Sequence, residues 1–255
     1  MAYSLQISFD APEPAALTAT EGVILALWRP GADGAAALSP SAAACDAESG
    51  GQVARALRGV KGERGDATVL LAPHGLAAEA LILLCAGAAP LDRAGARRLG
   101  AAAAKALAAQ KTRAATVRLD GVDGSGSDAD AEAGAPLSAA ELAAEALLGL
   151  ELRGYRFETY KSEPSEGALE RLSVGGAAGL EAAHAPLAGL VAGSVMTRDL
   201  VNEPANTLTP PEFAARAKSA LEPLGVAVEI LDEAKLAELG MRALLAVGQG
   251  SRQPS

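Results

Sequence analysis

EALILLCAG, residues 79–87, is a short apolar run with Pro73 before it and a Gly at its end. That is the pattern of a buried strand rather than of a helix, which needs more length. ATVLLAP (67–73) has the same character, and GVILALW (22–28), YSLQISF (3–9) and AATVRLD (114–120) read as further strands. LERLSV (169–174) adds one more. Between them, residues 42–58 and 91–111 read as helices, the second with Asp92 as N-cap and a run of strong helix formers. A longer helix is predicted over 138–157, where Ser138 and Glu141 stand at the spacing of a capping box. Strands alternating with helices predict an α/β layer structure with a largely parallel sheet.

Further along, GLEAAHAPLAGLVAGSVMTRDLVN (179–202) carries Leu180, Leu187, Val191 and Val195 near helical spacing, with Pro186 expected to kink that helix or to mark its true start. Then Thr209 stands as an N-cap, Pro210 at the first helical position and Glu212 as the far half of a second capping box. VAVEI (226–230) alternates like a strand, Asp232 caps a further helix with Leu231 and Leu236 at staple spacing, and Gly240 suits its end. Between the two helices, Asn202, Pro204 and Asn206 suit a turn.

Composition narrows the function classes. The 255 residues are 50% hydrophobic but only 3% aromatic, so the core is built largely from small side chains. A net charge of −9, with no basic stripe, argues against nucleic acid and anionic membranes as partners. The longest apolar run, around Ala80 to Leu91, is too short to span a bilayer, and the first residues lack the basic start of a signal peptide. Cys45 and Cys85 form no CxxC pair and are expected as buried free thiols. A cytoplasmic location follows as the expectation.

Several catalytic patterns fail on inspection. The acidic loop 120–136 places Val122 and Gly124 where a calcium loop begun at Asp120 needs side-chain oxygens. GSGSDA (124–129) and GQGSRQ (248–253) lack the third glycine of a dinucleotide loop, and GVKGERGD (59–66) lacks the ending of a phosphate loop. The two histidines, His74 and His184, have no metal-ligand spacing and read as surface or packed residues. Glycine loops near His74–Gly75 or Gly124–Gly126 are the places to look for a ligand cleft.

RDLVNEPANTLTPPEFA (198–214), LGMRALLAVGQGSRQP (239–254) and GLELRGYRFETYKSEP (149–164), in that order and spacing, resemble the leucine aminopeptidase family, the two-metal cytosol aminopeptidases. The resemblance implies a macro-domain-like α/β/α N-terminal domain with its linker over 1–176. It implies the start of an α/β catalytic domain over 177–255, expected to be truncated before the metal site. It implies metal-dependent removal of N-terminal residues from peptides, two divalent metals (manganese, zinc or magnesium) in the full-length parent, and a homo-hexamer. The family's Lys, Asp, Glu and Arg site residues belong to KGxTFDxGG-type and NTDAEGR-type segments that follow the VGQGS stretch. Neither segment occurs here. DADAEAG (128–134) and VKGERGD (60–66) share fragments of them in the wrong place. No catalytic, metal or substrate-binding residue is therefore assigned, no metal is expected in this chain, and the chain alone is expected to be inactive. The alternative from another class is a non-catalytic, macro-like ligand-binding or assembly module.

Overall fold

The strand expected from EALILLCAG is β5 (Ala78–Cys85), and every residue of it except Glu79 is buried. In the computed structural model, residues 5–9, 17, 19–31, 35–122, 137–163, 165–166 and 168–251 are described. They divide into two compact units, Met1–Val195 and Met196–Ser255.

In the first unit, β1 (Gln6–Phe9), β2 (Gly22–Pro30), β3 (Ala36–Leu38), β4 (Ala67–Leu71), β5, β6 (Ala114–Arg118) and β7 (Arg171–Gly175) form one sheet in the order β1-β7-β6-β2-β5-β4. The five strands from β1 to β5 in that order run parallel. β4 closes the far edge antiparallel to β5, and β3 folds back antiparallel on the end of β2. β3 is not read from the sequence: three residues, Ala-Ala-Leu, carry no period of their own, and only the pairing with Trp28–Pro30 makes them a strand.

Helices lie on both faces, because the central strands are apolar on both. Val23, Leu25 and Leu27 of β2 join Ile82 and Leu84 in a core with α3 (Arg93–Ala109) and α4 (Ala139–Gly154). Ile24, Ala26 and Trp28 join Leu81, Leu83 and Cys85 in a second core under α1 (Pro40–Glu48) and α2 (Gln52–Ala56). The result is the expected α/β/α arrangement of a largely parallel sheet. β1, β7 and β6 behave differently. Ile7, Leu172, Val174 and Val117 face the α3–α4 core, while Ser8, Ser173 and Thr116 stand in register in the lining of a cavity of about 460 Å³.

The one helix predicted over 42–58 is two, α1 and α2. Gly50 and Gly51 both take positive φ between them, which few side chains tolerate. The caps at Asp92 and Ser138 form as expected: Asp92 accepts from Gly95 N at 2.6 Å, and the Ser138–Glu141 box is reciprocal. α4 ends at Gly154 rather than at 157. α3 and α4 cross at glycines. A Cβ on Gly100 would stand 1.6 Å from the Ala146 carbonyl oxygen, and one on Gly149 would stand 2.0 Å from that of Arg97. Beside this crossing the buried Glu145 carboxylate pairs with Arg93 and, at 2.6 Å, with Arg97.

α5 (Leu180–Asn202) is continuous through Pro186. Pro186 is therefore not its start, and the helix forgoes one backbone hydrogen bond there. In the second unit, the turn after α5 is made at Pro204, whose carbonyl accepts from Thr207 N and Leu208 N at 2.9 Å each. α6 (Pro210–Leu221) starts after Thr209, but the threonine side chain makes no cap bond and Glu212 turns instead to Arg216. The second capping box is therefore absent: an ion pair one helical turn along takes its carboxylate. Residues 226–230 form no strand either. They have no neighbour strand to pair with among the described residues, and Val226 and Ile230 are about half exposed. α7 (Glu233–Glu238) begins at Asp232, which accepts from Lys235 N at 2.8 Å, and α8 (Arg242–Gly248) follows the positive-φ Gly240. Among the described residues from 196 onward, only Leu236 is buried.

Candidate functional site at the carboxyl edge of the sheet

Because the five parallel strands share a direction, their last residues meet at one edge, where α/β proteins place ligands. β2 leaves that edge toward α1 on one face. β5 and β6 leave it toward α3 and α4 on the other. Between these exits, Asp120 follows β6 and its Oδ2 accepts from the backbone amide of Ser41, in the first turn of α1, at 2.6 Å. Ser39 caps the same helix, its Oγ accepting from Ala42 N at 3.2 Å. Arg118, 2% exposed, points its Nε at Ser41 Oγ, 3.4 Å away. Gly176, at φ 105°, lets the tail of β7 lie against this group: a Cβ there would come within 2.6 Å of Asp120 N.

Arginines tie the neighbouring loops together. Arg29 Nε donates to the Gly121 carbonyl at 3.3 Å and its Nη1 to those of Gly87 and Ala89. Arg64 donates to the carbonyls of Ala86, Ala89 and Pro90. Among the described residues, Asp120 Oδ1 and Arg29 Nη2 are buried without a hydrogen-bond partner. Asp120 is only 7% exposed, so an unmet acceptor there costs about 1–3 kcal/mol unless water or a ligand supplies a donor.

The edge also carries a buried thiol. Its thiol, Cys45, is pushed up to about 11, by burial first and then by the Asp120 charge, with Arg118 pulling the other way. It is no nucleophile at neutral pH. Cys85 is likewise buried and its thiol raised, chiefly by burial. His74 and Gly75 do not reach this edge. β4 runs antiparallel, so the β4–β5 connection falls at the opposite end, where His74 N donates to Gln52 Oε1 and Gly75 lies on the Glu48 carbonyl. Gly124, Gly126 and the acidic stretch 128–134 lie outside the described residues. His184 is neither exposed nor merely packed: buried, it sits 2.7 Å from Glu151 Oε2, with the Phe9 ring 5.7 Å from its own. In the second unit Arg216 is clamped by Glu203 at 2.8 Å and Glu212 at 2.7 Å. Among the described residues no three His, Cys, Asp or Glu side chains converge as metal ligands would. Asp120 and Glu151 carried no signal in the sequence, since their partners are 79 and 33 residues away.

Two family models match in tandem. Residues 31–164, just over half of the chain, match the cytosol aminopeptidase family N-terminal domain, and residues 195–255 match the catalytic domain of the same family. A probable cytosol aminopeptidase of Caulobacter vibrioides is 41% identical over 227 residues, which cover 86% of this chain and 43% of that protein. One from Xanthobacter autotrophicus is 41% identical over 76% of this chain and 38% of its own length. The chain thus spans less than half the length of these relatives. Among solved structures, a tomato leucine aminopeptidase variant superposes with a TM-score of 0.76 over 100% of this chain and 50% of its own, at 24% identity, a likeness of fold. The bottromycin maturation enzyme BotP, also solved in complex with manganese, gives a TM-score of 0.65 at 27% identity over 91% of this chain, with 43% of the manganese-bound chain covered. With its α/β/α sheet and both family models in sequence order, the chain belongs to the cytosol aminopeptidase family.

Proposed function

We propose that this chain is the N-terminal part of a metal-dependent leucyl aminopeptidase, which removes N-terminal residues from peptides. The observation that carries the reading is the order of the two matches, the N-terminal domain at 31–164 and the catalytic domain at 195–255. Within it, residues 1–176 act as the N-terminal domain with its linker, and 177–255 as the opening helices of the catalytic domain. The location is cytoplasmic, peptides are the substrates and the assembly is a homo-hexamer without nucleic acid or membrane. The net charge of −9 supports those exclusions, and no helix among the described residues is long and apolar enough to cross a membrane.

Two divalent cations, manganese, zinc or magnesium, serve this chemistry in the parent. The described donors of this chain do not fit such a pair: Glu203 and Glu212 are taken up by Arg216, Asp232 caps α7, and no acidic cluster remains. The test is hydrolysis of leucine p-nitroanilide with added manganese. Turnover by a chain extended through the whole reading frame, and none by these 255 residues, is the expected pair of results. A metal-loaded, full-length product inert on a panel of amino-acid anilides sinks the function. Limited proteolysis tests the domain reading: cuts within 177–251 should precede any cut in α3 or α4, and equal resistance throughout contradicts it.

The second reading, a macro-like ligand-binding module, is favoured by the unpartnered Asp120 Oδ1 at the carboxyl edge. Calorimetric titration with ADP-ribose checks it, and absence of heat counts against it.

A further inference from the structure

α3 and α4 lie parallel, each following a parallel strand, and their carboxyl ends finish side by side around a cavity of about 430 Å³. Four cations line it: Lys105 of α3, Arg153 in the last turn of α4, then Arg156 and Lys161. Tyr155 and Phe157 line it too. In a chain with only seven aromatic residues and a net charge of −9, this gathering of rings and positive charge is uneven.

We propose that this cavity binds a small molecule carrying a doubly charged anionic group. Charge counting supports it. Lys161 is spent on Glu158, 3.3 Å away, and on Ser165. Among the described residues, Lys105, Arg153 and Arg156 have no carboxylate or carbonyl partner, although Arg93, Arg97 and Arg113 of the same unit are all ion-paired. The bland role for such cations is to offset helix dipoles, but two helix carboxyl ends carry only about −0.5 each. Three free positive charges less one leaves about +2, the complement of a dianion. The volume suits a small metabolite rather than a polymer. The rings of Tyr155 and Phe157 offer a face for a planar carrier, which a guanidinium can extend. The repulsive net charge of the chain is screened over about 8 Å at physiological salt, so the local charges decide.

Phosphate and paired carboxylates share this chemistry, and the experiment separates them. Calorimetry at physiological salt is run with AMP, inorganic phosphate and citrate against the whole chain. Saturable binding of AMP and phosphate assigns a phosphate site, and binding of citrate alone a carboxylate site. Arg153→Gln with Arg156→Gln should weaken the bound probe by about tenfold or more, the worth of lost charge-assisted bonds. Lys61→Gln and Asp120→Asn should leave it unchanged, the latter separating this cavity from the carboxyl edge. In the unmutated protein, the bound probe should slow acetylation of Lys105 and Lys161 but not of Lys111. Overturning results are no saturable binding by any probe, equal binding by the double variant, or no protection of the two lysines.

Discussion

Replacing Gly100 by alanine should break the crossing of α3 and α4. The new Cβ would stand 1.6 Å from Ala146 O, 2.6 Å from Ala146 C and 2.9 Å from Leu150 N. Real contacts do not close below 3.0 Å, so the helices must part by 3.0 − 1.6 = 1.4 Å. None of the three obstacles is a side chain that could swing away. Overpacking of this kind costs about 1–3 kcal/mol, and a gap of that size also forfeits a quarter or more of the dispersion between facing atoms. The flanking residues Leu99, Ala103, Leu147 and Leu150 are all buried and would share that loss. Helix propensity pulls the other way by only about 1 kcal/mol. Overpacking at the upper end of that range, less the propensity gain, leaves a loss of about 2 kcal/mol, or a melting temperature roughly 4–8 °C lower at about 2–4 °C per kcal/mol. Gly149→Ala needs 3.0 − 2.0 = 1.0 Å and should cost less. Gly189→Ala, where nothing lies within 4 Å of the added Cβ, is the control and should hold or gain stability. Urea unfolding followed by circular dichroism measures all three. If Gly100→Ala unfolds at the same urea concentration as the parent, the crossing of α3 and α4 has room for a methyl group and is not held close by glycine.

Removing Asp120 should act at two places. Asp120→Ala deprives Ser41 N of its acceptor and should cost about 1–2 kcal/mol in the same urea assay. Asp120→Asn removes the charge that helps raise the Cys45 thiol, so thiolate absorbance in a Cys85→Ser background should appear below the parent's value of about 11; an unchanged or higher midpoint refutes the coupling. His184→Ala strips the buried Glu151 of a 2.7 Å partner and should cost about 2–3 kcal/mol, while His184→Leu combined with Glu151→Leu should recover part of that loss; a double variant as weak as the two singles added contradicts it. The Glu141 carboxyl is held below its ordinary 4.5, first by the Ser138 amide and then by the Ser138 hydroxyl. A depressed folded-state value means stability present at neutral pH and lost as pH falls through it. The stability gap between the parent and Ser138→Ala, about 0.5–1 kcal/mol at pH 7, should therefore narrow below pH 4.5; a gap that widens in acid rejects the capping box.

What the sequence shows and what it hides divide along local and distant causes. β2 and β5 are legible because both faces of each strand are apolar, and the caps at Asp92, Ser138 and Asp232 because donor and acceptor lie within one turn. The break at Gly50–Gly51 stands in the text as two adjacent glycines, yet the helical run on either side masks it. Thr209 shows the limit of a spacing rule: the box residues are present, but Arg216 competes for Glu212 and Glu203 at once. Residues 226–230 have strand alternation without a neighbour, and alternation alone does not supply hydrogen bonds. The carboxyl edge was not legible in its residues: of the two glycine loops where the sequence suggested a cleft, His74–Gly75 lies at the opposite end of the sheet and Gly124–Gly126 outside the described residues. Asp120 sits in what reads as an acidic loop, and Arg29 just past what reads as a strand. Only the fold brings each to the backbone groups it serves.

The pairing of β1 with β7 has a consequence for the order of synthesis. Gln6 lies beside Arg171, so β1 lacks its described strand neighbour until 171 − 6 = 165 further residues have been made. At about 5–20 residues per second that is a wait of roughly 8–33 s. Through it, Ile7 and Phe9 lack the strand that carries them onto the sheet, and a nascent-chain chaperone would find them there.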